Sequence, residues 1–264
     1  MKTWQEYMIE RVQGKEVGIP WFLHDKMKFN NFCVENNVPV PSILKFFDKP
    51  DDINLDSINN SEFIVKPSLE SSTRGVMVLK RIEGDCYYDS LNRYTFRKEE
   101  ILEFQNKYFL ENKNKSNKII IEEKVYDIDS SYNIPRDFKF YAFKGKIALI
   151  LEINRNIKPS LSLWYDKDFN PVNETAVKCN APFSRTLSYY TKPNNSDELL
   201  SLAVSVSSLV ETPFASIDIY NSKSGPVMGE VTLAPGGLYH GKHYTLSEEY
   251  QNLMGNMWTN ALSI

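Results

Sequence analysis

Asp218 and Glu230 are the residues of this chain whose chemistry is hardest to explain as structure alone. Residues 214–220 alternate faces and put Ser216, Asp218 and Tyr220 on one side. After a turn at 221–226, residues 227–233 do the same with Met228, Glu230 and Thr232. A hairpin folded about Ser224 sets the two carboxylates directly across from one another, about 5 Å apart. Like charges at that spacing destabilise a sheet unless a cation or a shared proton relieves them. A divalent metal is the natural relief, and carboxylate oxygens suit magnesium bridging to phosphates. The competing reading is two unrelated acids on a solvated strand face.

Lys66 is the second candidate. It ends an apolar segment, 63–67, and is followed by Ser68-Leu69-Glu70-Ser71-Ser72-Thr73-Arg74-Gly75. A cation at a strand end facing hydroxyl groups can clamp a phosphate, and glycine lets such a loop fold over a ligand. The loop is neither a Walker A nor a dinucleotide GxGxxG sequence. A surface hairpin with a snorkelling lysine fits the same residues.

Certain elements must carry these groups. Asp25 can cap a helix through Phe29, Phe32 and Cys33 that ends before Val38-Pro39-Val40-Pro41. Strands are expected at 42–47, 63–67, 76–82 and 118–125, with a helix over 97–106. Residues 137–143 and 146–151 read as a hairpin, with Asp137, Lys139 and Tyr141 on one face and Phe138 and Phe140 on the other. Residues 154–188 read as irregular. A helix over 196–210 buries Leu199, Leu202, Ala203, Val206 and Leu209, and a closing helix starts near Ser247. Hairpins with few helices between them favour an α+β fold with largely antiparallel sheets, and 264 residues allow one large domain or two lobes.

The bulk composition narrows the function classes. A net charge of −3 argues against a nucleic-acid binder. Cys33, Cys86 and Cys179 are odd in number and widely spaced, which disfavours a disulfide framework or a zinc site. With no apolar leader near Met1 and no membrane-length apolar run, the expectation is a cytoplasmic protein without a membrane span.

Val65-Lys66-Pro67 with Glu70-Ser71-Ser72-Thr73-Arg74-Gly75 resembles the phosphate loop of the ATP-grasp superfamily, which includes D-alanine–D-alanine ligases. Three further matches follow in the superfamily's order: Asp25-Lys26, the strand Ile119 to Val125 with its acidic end, and Ile217-Asp218-Ile219 followed by Gly229 to Gly236. Trp164 to Pro171 and Gly229-Glu230-Val231-Thr232 are most similar to the branch of teichuronopeptide synthesis and polysaccharide amidation.

The resemblance implies an ATP-grasp fold of two lobes clasping ATP, with a short N-terminal segment over 1–60, a small lobe over 61–125 and a large lobe with the metal site over 126–264. It implies ATP and Mg²⁺ as cofactors and an amide-forming carboxylate–amine ligase, its carboxylate a uronic acid or acidic group on a glycan. Lys26 and Lys66 would hold phosphates and Ser72 with Thr73 would close over them. Glu122, with backbone groups of Glu123 and Val125, would read adenine, and Asp137 the ribose. Asp218 and Glu230 would hold magnesium, with Thr232 where an asparagine often binds a second metal. Lys139 is a further phosphate candidate. Ser216 stands where the superfamily usually carries an oxyanion-stabilising arginine; Arg155, Arg185 and Arg74 are the candidate substitutes. Tyr239, His240 and His243 border either the acceptor pocket or a surface loop. A kinase that stops at a phosphorylated product, and an inert ATP binder, are the alternatives. The motifs leave the acid, the amine and the oligomeric state open.

Overall fold

The computed structural model describes residues 2–112, 116–180, 184–186 (backbone only) and 190–263. Helix α1 (Trp4–Val12) and helix α2 (Lys26–Glu35) precede the first sheet. Asp25 does cap α2, accepting the Met27 N–H at 2.9 Å. The first sheet contains β1 (Ile43–Phe47), β2 (Glu62–Pro67), β3 (Met77–Arg81), β4 (Cys86–Asp89) and β5 (Tyr94–Arg97). After α3 (Lys98–Glu111), β6 (Ile119–Glu123) completes it. Its order is β1-β6-β2-β3-β4-β5, and every neighbouring pair is antiparallel. The two-residue period of a strand divides its faces. Phe63, Val65, Met77, Leu79, Ile119 and Ile121 pack with Ile101 of α3, while Ile64, Lys66, Val78 and Glu122 look the other way.

The second sheet follows from β7 (Asp137–Phe143), β8 (Lys146–Asn154), β9 (Ser160–Asp166) and β11 (Ser184–Thr186), with the short β10 (Val177–Cys179) between the last two. After α4 (Ser196–Leu209) come β12 (Ala215–Ser222), β13 (Gly225–Thr232), the one-turn α5 (Gly236–Tyr239), β14 (Tyr244–Leu246) and α6 (Glu248–Ala261). The order is β11-β9-β8-β7-β12-β13, with only β11–β9 parallel, and β10 pairs separately with β14. Phe138, Phe140, Ile150, Ile217 and Ile219 face α4 through Leu199, Ala203 and Val206, and α2 through Phe29 and Cys33. On the opposite face Tyr141, Phe143, Leu149 and Trp164 pack under α1 and α6 through Trp4, Met8, Met254 and Trp258. The rest of that face, polar apart from Leu151 and Ile153, turns toward the bare face of the first sheet.

Residues 1–60 are shared between the two layers: α1 packs on α6, α2 lies on the second sheet, and β1 is an edge strand of the first. Arg11 on α1 is buried, and its guanidinium donates to the carbonyls of Phe214 (2.8 Å) and Leu233 (2.9 Å), which flank β12 and β13. It also bonds the Thr212 hydroxyl and Glu16, so the opening helix pins the far end of that hairpin.

Three sequence expectations change. Residues 154–188 are not irregular throughout, because β9 is an interior strand with Leu163, Trp164 and Tyr165 buried on its two faces. Burial on both faces removes the apolar–polar alternation by which a strand is read. Leu209 is 37% exposed, since the buried stripe of α4 runs on to Val210. Met228 does not share the face of Glu230: a bulge leaves Gly229 unpaired, so Asp218 opposes Glu230 while Ile219 opposes Met228, which enters the core.

Candidate active site

The register of the second sheet arranges the polar groups in rows. Tyr220, Asp137 and Ile153 form one row, and Glu230, Asp218, Lys139 and Leu151 the next. Thr232, Ser216 and Tyr141 form the third. Successive rows lie about 7 Å apart along the strands. The second row carries the carboxylate pair expected from the sequence, Asp218 directly opposite Glu230. Beyond the third row the chain enters Ala234 to Leu238, with His243 and Tyr244 beside it. Together with Lys26, Lys66, Ser72, Thr73, Glu122 and Val125 from the other layer, these residues line one cleft of about 600 Å³. Ile64, Val78, Leu151 and Ile153 give it apolar walls at one side.

The loop after β2 is held in an uncommon conformation. Ser72 (φ 56°), Thr73 (φ 63°) and Gly75 (φ 70°) are all left-handed, a region costly for a β-branched threonine. A Cβ on Gly75 would stand 2.7 Å from the Pro67 ring, so glycine is required there. The buried Gln105 amide donates to the Gly75 carbonyl at 2.8 Å and fastens the loop to α3. The result turns the Ser71, Ser72 and Thr73 segment into the cleft.

Charges in the cleft are compensated from within. Lys66 pairs with Glu122 at 2.5 Å, and the Lys26 ammonium donates to the Glu70 carbonyl. Lys139 bonds both Asp137, at 3.0 Å, and Asp218. Arg155 takes the same Asp137 oxygen at 3.0 Å, and the Ser216 hydroxyl donates to Asp218 at 3.0 Å. Burial opposes the Lys139 charge, but Asp137, Asp218 and Glu230 outweigh it and raise its pKa. Burial likewise pushes the Asp218 carboxyl well above the ordinary range, only partly opposed by Lys139. For Glu230 burial acts in the same sense, yet Lys139 and Lys26 hold its carboxyl below the usual value. Burial, with Lys66 nearby, lowers Lys26 to about 8. Asp137, Asp218 and Glu230 thus share Lys139, Arg155 and Lys26, with Asp218 the carboxyl most biased toward holding a proton.

The donor set suits a hard divalent cation. Asp218 and Glu230 offer carboxylate oxygens from adjacent strands, and Asp137 Oδ1 is buried with no hydrogen-bond partner. Among the described residues no three His, Cys, Asp or Glu side chains form a closed cage. A cation at Asp218 and Glu230 would need further oxygens from a ligand, which is how magnesium is held with phosphates.

Most of the sequence candidates meet here: Lys26, Lys66, Ser72, Thr73, Glu122, Val125, Asp137, Lys139, Arg155, Asp218, Glu230 and Thr232 all line the cleft. Glu123 does not; it is exposed, and its N–H is already bonded to the Ser42 carbonyl because β1 pairs along β6. Arg74 turns away to Glu70 and Glu111. Arg155 enters the cleft at the Asp137 row, two rows from Ser216, so it does not stand where the missing arginine would. The Arg185 side chain lies outside the described residues. His243 lines the cleft, whereas His240 and Tyr239 contact each other outside it. Tyr141 and the apolar walls were legible only as strand alternation, and Pro135 follows a loop tied by Asp127, which accepts the Arg136 N–H at 2.8 Å and its guanidinium at 3.0 Å.

The fold is that of the ATP-grasp ligases. It is similar to the D-alanine–D-alanine ligase of Helicobacter pylori (15% identity, TM-score 0.53), covering 89% of this chain and 60% of that one. For the enzyme of Bacillus anthracis the values are 15%, 0.52, 91% and 65%, and for its complex with ATP 15%, 0.50, 91% and 64%. This chain thus spans less than two thirds of the length of those structures. No curated protein matches the sequence. The model of the TupA-like ATP-grasp family matches residues 10–259, and the chain belongs to that family.

Proposed function

We propose that this chain is an ATP- and magnesium-dependent carboxylate–amine ligase. The observation that carries the reading is the Asp218–Glu230 pair, in register, in the same cleft as Lys26, Lys66 and the Ser72–Thr73 loop. Lys26, Lys66 and Lys139 would grip the phosphates, and Ser72 and Thr73 would close over them. Glu122 and Val125 would border adenine between Ile64, Val78 and Ile153, with Asp137 at the ribose. Asp218 and Glu230 would hold magnesium, with Thr232 beside them. Magnesium there supplies charge neutralisation on the phosphates.

In the first step a carboxylate oxygen bonds to the γ-phosphorus and ADP leaves. In the second an amine nitrogen bonds to the acyl carbon, the carbon–oxygen bond to phosphate breaks, and the amine loses a proton. Such chemistry needs positioning and electrostatics more than covalent help. The resemblance of residues 164–171 and 229–232 to the teichuronopeptide branch favours a uronic acid or acidic group of a glycan precursor, modified in the cytoplasm where ATP is at hand. Mass spectrometry of products from Mg-ATP, a panel of uronic acids and acidic amino acids, and a panel of amines tests the reading. Amide with stoichiometric ADP and phosphate is expected; ADP release that needs no amine contradicts it.

Ser216 favours a second reading. Loss of one oxyanion donor costs about 10²–10³ in rate, so a site without that arginine could stop at the phosphorylated acid. A stable phosphorylated product without amide would establish a kinase instead.

A further inference from the structure

Beyond the Ser216–Thr232 row, the cleft is shaped by a residue that does not line it. Ser216 and Thr232 are the last pair of the β12–β13 ladder. Phe214 leads into β12 just outside that pair, and Leu233 leads out of β13 toward Ala234, Pro235 and Gly236, which line the cleft. Arg11 of α1 supplies the next rung. Its Nη1 donates to the Phe214 carbonyl at 2.8 Å and to the Leu233 carbonyl at 2.9 Å, so one nitrogen bridges both chains.

The rest of the guanidinium is fully used. Nε donates to Glu16 at 2.7 Å, and Nη2 donates to Glu16 at 3.0 Å and to the Thr212 hydroxyl at 2.7 Å. With the two carbonyls, all five of its N–H groups have acceptors. Its carbon lies 4.3 Å from the Trp258 ring centroid, and the residue is buried. Lysine, with three donors and no planar fork, cannot reproduce this set. Leu233 is held a second time, its N–H donating to His24 Nε2 at 3.2 Å. Both of its backbone groups are therefore fixed one residue before the chain enters the cleft. The nucleotide side is anchored elsewhere: the Lys26 N–H donates to the Ser68 carbonyl at 3.1 Å, and Gln105 holds the Gly75 carbonyl.

We propose that Arg11 is a positioning residue for the acid substrate. This inference rests on the ligase reading, in which the nucleotide extends from the phosphate lysines to the Asp137 row and leaves the Ser216–Thr232 end to the acid. By joining the Phe214 and Leu233 carbonyls, Arg11 sets the direction in which the chain leaves β13, and so the place of Ala234, Pro235 and Gly236 against the acid. It acts through that backbone and touches neither substrate.

Wild type, Arg11→Lys, Arg11→Met and the control Thr212→Val separate this role from simple anchoring of α1. The control removes one bond of the guanidinium but leaves the bridge between the two carbonyls. Hydroxamate formation from Mg-ATP, hydroxylamine and glucuronate, or whichever acid of the panel wild type activates, gives kcat/KM for the acid. Calorimetry gives the ATP affinity, both measured below the melting transition of each protein. The Arg11 variants should bind ATP within about threefold of wild type while kcat/KM for the acid falls about 10-fold to 10²-fold, the loss expected from a misplaced substrate. Thr212→Val should stay within about threefold of wild type in both, whatever its melting temperature. An acid kcat/KM within threefold of wild type in the Arg11 variants overturns the inference. So does an equal fall in ATP affinity and acid kcat/KM, a loss in Thr212→Val as large as theirs, or failure of both Arg11 variants to fold, which would make the role purely structural. Absence of hydroxamate from wild type across the panel sinks the ligase reading itself and this inference with it.

Discussion

Replacing Lys139 with methionine isolates the cation logic of the cleft. The substitution keeps most of the side-chain length and removes the charge that bonds Asp137 and Asp218 and faces Glu230. Asp137 retains Arg155 at 3.0 Å, so the damage falls on the Asp218–Glu230 pair. Removing one partner of a buried ion pair costs about 3–5 kcal/mol. Burial already raises the Asp218 carboxyl, so it can take up a proton and recover part of the loss, which points to the lower end of that range. At about 2–4 °C per kcal/mol for a chain of this size, a loss of about 3 kcal/mol should lower the melting temperature by roughly 6–12 °C. Magnesium should then stabilise the variant more than wild type, because no lysine has to be displaced from the carboxylates. At a hundred times its dissociation constant it would return about 2.7 kcal/mol. Thermal unfolding with and without magnesium reads both effects. A melting temperature within about 2 °C of wild type, or equal magnesium stabilisation of the two proteins, would refute the reasoning.

The pH dependence of ATP binding follows from Lys26, whose pKa burial and Lys66 lower to about 8. Phosphates raise it again in the complex, so affinity is constant below pH 8 and falls above it, by up to about tenfold per unit, as binding begins to require proton uptake. Calorimetry between pH 7 and 10 checks this, and Lys26→Met should remove the slope. Gly255→Ala should destabilise the protein by about 1–3 kcal/mol or more, since the new Cβ would meet the Lys2 carbonyl at 2.1 Å and lift α1 from α6. A denaturation midpoint equal to wild type would contradict that packing.

Much of the site could be read before the fold, for a local reason. The two carboxylates lie on strands joined by one short turn, so their opposition could be anticipated locally; the two-residue turn at 223–224 alone would set Asp218 against Gly229, and the bulge there brings Glu230 opposite instead. The loop after Lys66 is likewise one continuous segment. What escaped depends on partners distant in sequence. Arg11 looks like an ordinary surface arginine until Phe214, Leu233 and Thr212 fold around it. Strand β9 is hidden because both its faces are covered, one by the core under α4 and the other by that under α1 and α6. Arg155 was legible as a cation near the site, but its row was not, because that depends on how β7 and β8 pair. The bulge at Gly229 decided which neighbour of Glu230 faces inward, and alternation alone assigned Met228 to the wrong side.

Calorimetric titration of ATP in the presence of magnesium, on wild type, Lys66→Ala and Glu230→Gln, tests the central claim most directly. One ATP should bind per wild-type chain, and each variant should bind about 30-fold more weakly or worse, since losing one partner of a buried charge contact costs at least about 2 kcal/mol. ATP bound equally well by all three proteins, or indifferently to magnesium, would mean that the cleft between the two sheets is not where the nucleotide is held.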